Sequence, residues 1–222
     1  MNAVSKLPVV VLISGNGTNL QAIIDAAGTN LPIEIRAVIS NRPGVYGLRR
    51  AEQAGIETAI LNHKEFPDRK SYDRALMKLI DSYSPGLIAL AGFMRILTNE
   101  FVRHYAGRML NIHPSLLPKY TGLNTHQRAL DAQERLHGAS VHFVTEELDG
   151  GPLVVQAQIT VLADDDAESL AARVLEKEHQ IYSLAIHWFA EKRLSMGENG
   201  EVILNGKRLE QPVVFAPQEA IG

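Results

Sequence analysis

The sequence predicts a doubly wound α/β fold with a mostly parallel sheet and helices on both faces. Two observations carry this prediction. Along the first half of the chain, short apolar and β-branched runs alternate with amphipathic segments of helical length, an order typical of parallel sheets with crossover helices. The first of these runs, residues 8–14, is apolar at almost every position, as expected of a strand buried on both faces.

The first half can be assigned element by element. Its predicted strands share a short apolar run bounded by turn residues and cover residues 8–14, 33–40, 56–61, 87–91 and 108–112. Its predicted helices share an apolar stripe at helical spacing and cover residues 18–27, 45–54, 71–82 and 99–105. We expect Thr18 or Asn19 to cap the first helix, and Gly55 to close the second. The βαβα order makes the sheet Rossmann-like.

The second half is less regular and predicts a partly antiparallel continuation. Its predicted elements are a helix over residues 125–131, a strand around residues 141–144, an extended run over residues 153–161 and a long helix that Asp164–Asp166 open and that ends near Arg193. Asn205-Gly206 predicts a hairpin turn. Residues after Pro212 are expected to fray.

Composition bounds the class of protein. The length of 222 residues suits one domain and is ample for a buried core. A net charge of −3 with no lysine- or arginine-rich block argues against nucleic acid as a partner. The absence of cysteine excludes disulfides, thiolate metal sites and a cysteine nucleophile. No apolar stretch reaches membrane-spanning length and no signal peptide is evident, so we expect a cytoplasmic protein without a membrane partner.

A glycine-containing loop, Ser14-Gly15-Asn16-Gly17-Thr18-Asn19, joins the first strand to the first helix. Glycines there let the backbone approach a ligand, and a helix start offers unpaired N–H groups to an anion. The loop is not a dinucleotide fingerprint, because Leu20 replaces the third glycine and no acidic residue ends the second strand. From these residues alone, a monophosphate site and a plain strand–helix turn are about equally well supported.

A polar trio forms the second candidate site. Asn111 and His113 stand two positions apart at a predicted strand end, which places both side chains on one face. Asp149 lies in the turn-rich stretch 147–152. A carboxylate beside an imidazole favours its cation, and an amide, an imidazole and a carboxylate together suit acyl transfer to an amine. Asn111 and His113 by themselves would more readily be a hydrogen-bonded structural pair.

The longer string around these residues favours the catalytic interpretation. Asn111-Ile112-His113-Pro114-Ser115-Leu116-Leu117-Pro118-Lys119-Tyr120 resembles the signature of the folate-dependent formyltransferases. Three further stretches match the smallest members of that family: Ile13-Ser14-Gly15-Asn16-Gly17-Thr18-Asn19-Leu20-Gln21, Ala91-Gly92-Phe93-Met94-Arg95-Ile96-Leu97, and Ser140-Val141-His142-Phe143-Val144 running to Asp149-Gly150-Gly151-Pro152. The resemblance covers roughly residues 8 to 195, in the family's order.

The resemblance implies a reaction between two small molecules. The formyl group of 10-formyltetrahydrofolate, a co-substrate, passes directly to the primary amine of glycinamide ribonucleotide (5′-phosphoribosylglycinamide) in purine biosynthesis, and no metal is required. Asn111 would hold the oxyanion, His113 would move the proton, and Asp149 would orient His113. A single domain over residues 1–222 would then comprise a phosphate-binding half (1–110), a catalytic and folate-binding half (111–195) and a C-terminal hairpin and tail (196–222). The chain is expected to be a monomer or a homodimer.

The resemblance also implies binding residues. Those for the ribonucleotide are Gly17, Thr18, Asn19 and Glu178, and those for the folate are Arg69, Met94, Arg95, Ile96, Leu97 and Asn111. Judged from the residues alone, Glu178 would be a solvated helix position, Met94, Ile96 and Leu97 would be core, and Arg69 would be an exposed charge.

Five further polar residues lie in or beside the matching stretches. His126 and His142 are alternative histidines, but neither is expected to pair with an amide. Ser140 is a candidate for ordering the site through water. Asn124 and Thr121 depart from the family's pattern, where many relatives carry His and some carry Pro.

Three other interpretations remain at this stage. Formyltetrahydrofolate deformylase, a hydrolase with the same trio, carries an N-terminal regulatory domain, whereas the first strand here begins within about ten residues of Met1. Methionyl-tRNA formyltransferase carries a C-terminal RNA-binding domain. A non-catalytic phosphate- or nucleotide-binding module would explain the glycine loop and the sheet, but it gives no reason for Asn111, His113 and Asp149 together.

Overall fold

The computed structural model describes residues 6–215. Its strands, in chain order, are β1 (Leu7–Ile13), β2 (Ile33–Ser40), β3 (Thr58–Ile60), β4 (Leu87–Leu90), β5 (Met109–His113), β6 (Leu136–Phe143), β7 (Leu153–Thr160), β8 (Leu194–Met196), β9 (Val202–Leu204), β10 (Lys207–Arg208) and β11 (Val213–Phe215). Its α-helices are α1 (Thr18–Ala27), α2 (Tyr46–Gln53), α3 (Arg69–Ser82), α4 (Asn99–His104), α5 (Thr125–Asp131) and α6 (Ala167–Ala190).

The central sheet has eight strands in the order β11-β7-β6-β5-β4-β1-β2-β3. Neighbouring strands from β3 to β5 run parallel, whereas β6 is antiparallel to both β5 and β7. The predicted fold class, a mostly parallel Rossmann-like sheet with a partly antiparallel second half, is confirmed. Strands β8, β9 and β10 form a separate small sheet.

A cluster of buried apolar side chains packs on each face of the sheet. Val9 and Val11 of β1 belong to one buried cluster, together with residues of α1 and α6. Val10 and Leu12 point to the other face, into a cluster with residues of α3 and α4. Because side chains alternate across a strand, this continuous apolar run supplies two cores at once.

The start of α1 differs from the prediction. Gly17, in the left-handed conformation with φ 73°, precedes the helix, and no side chain accepts a capping hydrogen bond there. The capping role predicted for Thr18 or Asn19 is wrong, because both residues already lie within the helix. Elsewhere side chains do cap: Asp68 accepts from Ser71 N at the start of α3, and Asp166 forms a capping box with Ser169 at the start of α6.

The C-terminal region is more ordered than expected. Residues after Pro212 are predicted to fray, but Val213–Phe215 form β11 and pair with β7 in parallel. The added strand provides hydrogen-bond partners for the backbone of β7, which would otherwise be at the edge of the sheet. Residues 216–222 of that prediction lie outside the described range. The predicted turn is confirmed, since Asn205 and Gly206 adopt φ 53° and 74° between β9 and β10. Within residues 6–215, no helix is both long and apolar enough to cross a membrane.

Candidate active site

The sequence motifs converge at the carboxyl ends of β1, β4 and β5. These three strands are neighbours, with Leu12 of β1 paired with Leu90 of β4 and Leu90 paired with Asn111 of β5. The glycine loop follows β1, and the 91–97 segment follows β4. This edge is where open α/β sheets bind their ligands.

Asp149 and His113 lie together in a nearly buried pair. His113 Nδ1 is 3.6 Å from Asp149 Oδ2, and His113 is 6% exposed. On the other side of the ring, Nε2 donates to the carbonyl oxygen of Tyr120 at 2.8 Å. Since an acceptor faces each ring nitrogen, the imidazole is held in one orientation.

Asn111 pairs with a second histidine. Asn111 and His142 are directly opposed on antiparallel strands β5 and β6, and Asn111 Nδ2 lies 3.1 Å from His142 Nε2. His142 Nδ1 is 2.9 Å from the Phe143 carbonyl oxygen, which can only accept, so Nδ1 carries the proton and Nε2 accepts from Asn111. Burial lowers the pKa of His142, which keeps the ring neutral and able to accept.

The expectation that His142 would not pair with an amide is therefore wrong. Its Nε2 also lies 4.0 Å from Asp149 Oδ1, so His142 joins the trio. One N–H of the Asn111 amide is donated to His142, and the second remains available to a ligand. The antiparallel pairing of β5 with β6, which the local sequence pattern did not reveal, produces this contact.

The loop between β5 and α5 closes around the same group. Gly122 N donates to Asp149 Oδ2 at 2.8 Å, while Asp149 itself adopts φ 52°. Buried Ser140 donates to the Ser115 carbonyl oxygen at 2.6 Å and accepts from Leu117 N at 3.1 Å. Ser140 thus orders the loop by direct hydrogen bonds.

Asn124 and Thr121, the two residues that differ from the family's pattern, each have a local structural explanation. Asn124 adopts the left-handed conformation, φ 57°, just before α5, which asparagine tolerates better than most residues. The Thr121 carbonyl oxygen accepts from Arg128 of α5 at 2.6 Å.

The glycine loop owes its shape to a contact with α2. A Cβ on Gly17 would lie 2.7 Å from the Gly47 Cα, and a Cβ on Gly47 would lie 2.6 Å from Ile13 Cδ1 and 3.1 Å from the Gly15 carbonyl oxygen. Arg50 of α2 donates to the Asn16 carbonyl oxygen at 2.9 Å. Sequence reasoning missed Gly47 and Arg50, although Gly47 at a helix start offered a weak signal.

Glu178 is buried, contrary to its appearance as a solvated helix residue. It is 7% exposed, and its Oε2 accepts from Asn19 Nδ2 at 2.6 Å. Burial raises the pKa of Glu178, and the Asn19 hydrogen bond opposes that shift. The side chain of Asn19 is therefore directed to Glu178, which leaves the backbone N–H groups of the loop for an anion.

The 91–97 segment presents apolar side chains to solvent. Met94 is 60% and Ile96 54% exposed, so the prediction from residues alone that they are core is wrong; Leu97 is partly buried. The guanidinium of Arg95 is turned inward, 4.6 Å from the Tyr72 ring centre. Arg69 begins α3 and is exposed.

Two further histidines, His126 of α5 and His137 of β6, lie close together. His126 Nδ1 and His137 Nε2 are 3.1 Å apart. Burial lowers the pKa of His137 to about 4, with the neighbouring His126 as a further cause, and burial likewise lowers the pKa of His126. Between residues 6 and 215, no cluster of three or more His, Cys, Asp or Glu side chains has a metal-binding arrangement.

The sequence and the fold of this chain are similar to those of known proteins. Residues 7–186 match the formyl transferase family. The chain is 57% identical over 212 residues to the phosphoribosylglycinamide formyltransferase of Escherichia coli (strain K12), covering 95% of this chain and 99% of that one. It is 50% identical over 202 residues to the enzyme of the same name from Haemophilus influenzae, covering 90% and 95%. A solved phosphoribosylglycinamide formyltransferase from Coxiella burnetii, in complex with CHES, superposes with a TM-score of 0.91 at 57% identity, covering 95% of this chain and 100% of that one.

Buried His137 should make the free energy of unfolding depend on pH. The unfolded pKa of histidine is ~6.5 and that of folded His137 is about 4, so between these values the unfolded chain binds more protons. The free energy of unfolding should therefore fall as pH drops from ~6.5 towards 4, by up to ~1.4 kcal/mol per pH unit for this residue. Urea titrations across this range measure the slope. His137→Gln, which keeps a polar end but does not titrate, should give a shallower slope, and equal slopes would contradict the prediction.

Proposed function

This chain belongs to the formyl transferase family, and from that premise we propose that it transfers the formyl group of 10-formyltetrahydrofolate to the amine of glycinamide ribonucleotide in purine biosynthesis. The observation that carries the proposal is the cluster of Asn111, His113, His142 and Asp149 at the ligand-binding edge of the sheet. It lies beside the 91–97 segment, whose apolar side chains are exposed, and the glycine loop suited to phosphate follows β1, the next strand after β4 in the sheet.

The cluster supplies the groups that formyl transfer needs. The amine nitrogen attacks the formyl carbon, a new C–N bond forms, and the carbonyl electron pair moves to oxygen. The free N–H of Asn111 would stabilise that oxyanion. His113, whose Nε2 carries a proton in the structure, would give that proton to the folate nitrogen as the old C–N bond breaks and would regain one from the amine nitrogen, which loses it. Because His113 Nε2 is bonded to the Tyr120 carbonyl oxygen, that contact must open before Nε2 can reach a reacting atom.

Asp149 would serve two ends in this scheme. Its Oδ2 faces His113 Nδ1 and also accepts from Gly122 N, so one carboxylate orients the imidazole and fixes the loop beside it.

The ribonucleotide would bind across the first strand–helix junction. Gly17, Thr18 and Asn19 offer backbone N–H groups at the start of α1, where the helix dipole favours an anion. Glu178, which accepts a hydrogen bond from Asn19, would accept hydrogen bonds from ribose hydroxyls. Arg50 adds a positive charge beside the loop through its bond to the Asn16 carbonyl oxygen.

The folate would bind against the 91–97 segment. Met94 and Ile96, together with exposed Leu123 and Leu148 of the two loops beside the trio, offer apolar surface for an aromatic ring system. Covering such surface stabilises binding by roughly 25 cal/mol per Å². Arg95 and Leu97 would bind the folate through backbone groups. Asn111 would lie next to the formyl carbon, and exposed Arg69 would contact the anionic end of the folate.

Release of tetrahydrofolate should depend on the amine substrate. The purified protein is incubated with 10-formyltetrahydrofolate, with and without glycinamide ribonucleotide, and folate release is followed by absorbance. We expect release only when both are present, because the amine is the nucleophile. Equal release without the ribonucleotide would favour a deformylase, and no release in either case would favour a binding module.

Removing a member of the trio should lower turnover more than substrate binding. Asn111→Ala or His113→Ala removes an interaction that strengthens as charge develops, so kcat should fall on the order of 10²-fold or more. Asp149→Asn should also lower kcat, since the shape is kept and the charge is lost. Glu147→Gln, a neutralised exposed carboxylate in the same loop, is the matched control and should match the wild type. A near-normal kcat in a variant of Asn111, His113 or Asp149 would show that the substituted residue has no part in the mechanism.

Gly47→Ala should weaken binding of the ribonucleotide. The added methyl group would lie 2.6 Å from Ile13 Cδ1, which must shift, and 3.1 Å from the Gly15 carbonyl oxygen, so it would crowd the glycine loop, at a cost of about 1–3 kcal/mol. We expect KM for the ribonucleotide to rise about tenfold, with a smaller change in KM for the folate. Gly28→Ala is the matched control, because its Cβ would meet nothing closer than 3.5 Å. An unchanged KM for the ribonucleotide in Gly47→Ala would contradict the role given to this contact.

A further inference from the structure

Two buried side chains bind the backbone of the proposed folate-binding segment from behind. Ser14 Oγ accepts from Met94 N at 2.8 Å, and Asp73 Oδ2 accepts from Thr98 N at 2.6 Å. Ser14 is 4% and Asp73 1% exposed. The two come from different elements, the end of β1 and the first turns of α3, and they act at opposite ends of the same stretch of chain.

Ser14 is itself held in one orientation. Its hydroxyl donates to Asn41 Oδ1 at 2.6 Å, and Asn41 is fully buried. With its proton committed to Asn41, the hydroxyl oxygen presents its lone pairs to Met94 N. The hydrogen bond to Met94 therefore has a fixed direction, and the position of Met94 N follows from the position of β1.

Asp73 is an unusual residue to find in this core. Burial raises its pKa, and the hydrogen bond from Thr98 N is the largest opposing cause. A buried carboxylate is costly unless it is hydrogen-bonded, and the bond that Asp73 makes is to Thr98 N, directly after the folate-binding segment. Arg95 lies over the ring of Tyr72, the neighbour of Asp73, so α3 contacts the middle of the segment as well as its end.

These contacts leave the outer side of the segment free. Met94 and Ile96 point to solvent, and within residues 6–215 the backbone N–H groups of Ile96 and Leu97 donate to no other group of the chain. The side-chain contacts that hold the conformation of the segment thus come from its inner side. A ligand on the outer side meets a preformed surface and need not order it, which lowers the cost of binding.

We propose that Ser14 and Asp73 are positioning residues for the formyl donor. They hold the backbone of residues 94–98 in the conformation that receives the folate ring, and they act on binding of the donor rather than on the formyl transfer step. This inference rests on the proposed function, because it takes the 91–97 segment as the folate-binding surface.

The test separates binding of the donor from transfer. Asp73→Ala removes the acceptor for Thr98 N, whereas Asp73→Asn keeps one acceptor oxygen, removes the charge and replaces the other oxygen with an amide nitrogen. Isothermal titration calorimetry with tetrahydrofolate, in the absence of ribonucleotide, gives Kd for the folate. Steady-state kinetics give kcat and both KM values.

We expect Asp73→Ala to raise Kd for tetrahydrofolate and KM for 10-formyltetrahydrofolate about tenfold or more. The changes in kcat and in KM for the ribonucleotide should be smaller, and Asp73→Asn should restore most of the affinity. Wild-type Kd in Asp73→Ala, or a fall in kcat with Kd unchanged, would overturn the proposal.

Ser14→Ala is the second variant, and it guards against a folding defect in Asp73→Ala. It removes a single oxygen atom, and thermal unfolding checks that the fold persists. The same selective loss of folate affinity is expected, and unaltered Kd for tetrahydrofolate in Ser14→Ala would overturn the role of Ser14. If the wild type bound tetrahydrofolate but transferred no formyl group to the ribonucleotide, the proposed function would fail while the positioning role could still be measured by calorimetry.

Discussion

The register between β5 and β6 is the constraint on which the site depends. It sets Asn111 opposite His142 and His113 opposite Ser140. The register is secured by apolar residues between them, because Ile112 and Val141 are paired in the same ladder and lie in the core. A slip of one residue would turn the polar side chains into that core and the apolar ones outward. Packing on one face of the sheet therefore maintains the polar geometry on the other.

The two histidines of the cluster show how surroundings divide one residue type into two roles. His142 is buried and donates to the Phe143 carbonyl oxygen, so its remaining nitrogen is an acceptor that orients the Asn111 amide. His113 has an acceptor at each nitrogen, one of them the Asp149 carboxylate. The neutral ring of His142 thus orients Asn111, while His113 is the histidine proposed to carry a proton.

The elements and contacts that could be predicted from the sequence are those determined by residues close together in the chain. Ile33–Ser40 was predicted residue for residue, since its apolar run and flanking turns lie in one stretch. Val213–Phe215 was not, because a three-residue strand gains its stability from β7 rather than from its own sequence. Glu178 was recognised only through the family resemblance, because its hydrogen-bond partner Asn19 lies 159 positions away in the chain. The contact of His142 with Asn111 likewise exists only once two strands are paired.

The left-handed backbone of Asp149 has a consequence for attempts to make the protein more robust. A residue with a Cβ held at φ 52° carries a conformational cost of roughly 1–2 kcal/mol, which is reduced for aspartate and vanishes for glycine. Glycine at this position would remove that backbone cost, but it would also remove the carboxylate that faces His113 and accepts from Gly122 N. Backbone strain and chemistry therefore favour different residues here, and laboratory evolution of this fold needs a catalytic screen beside the thermal one.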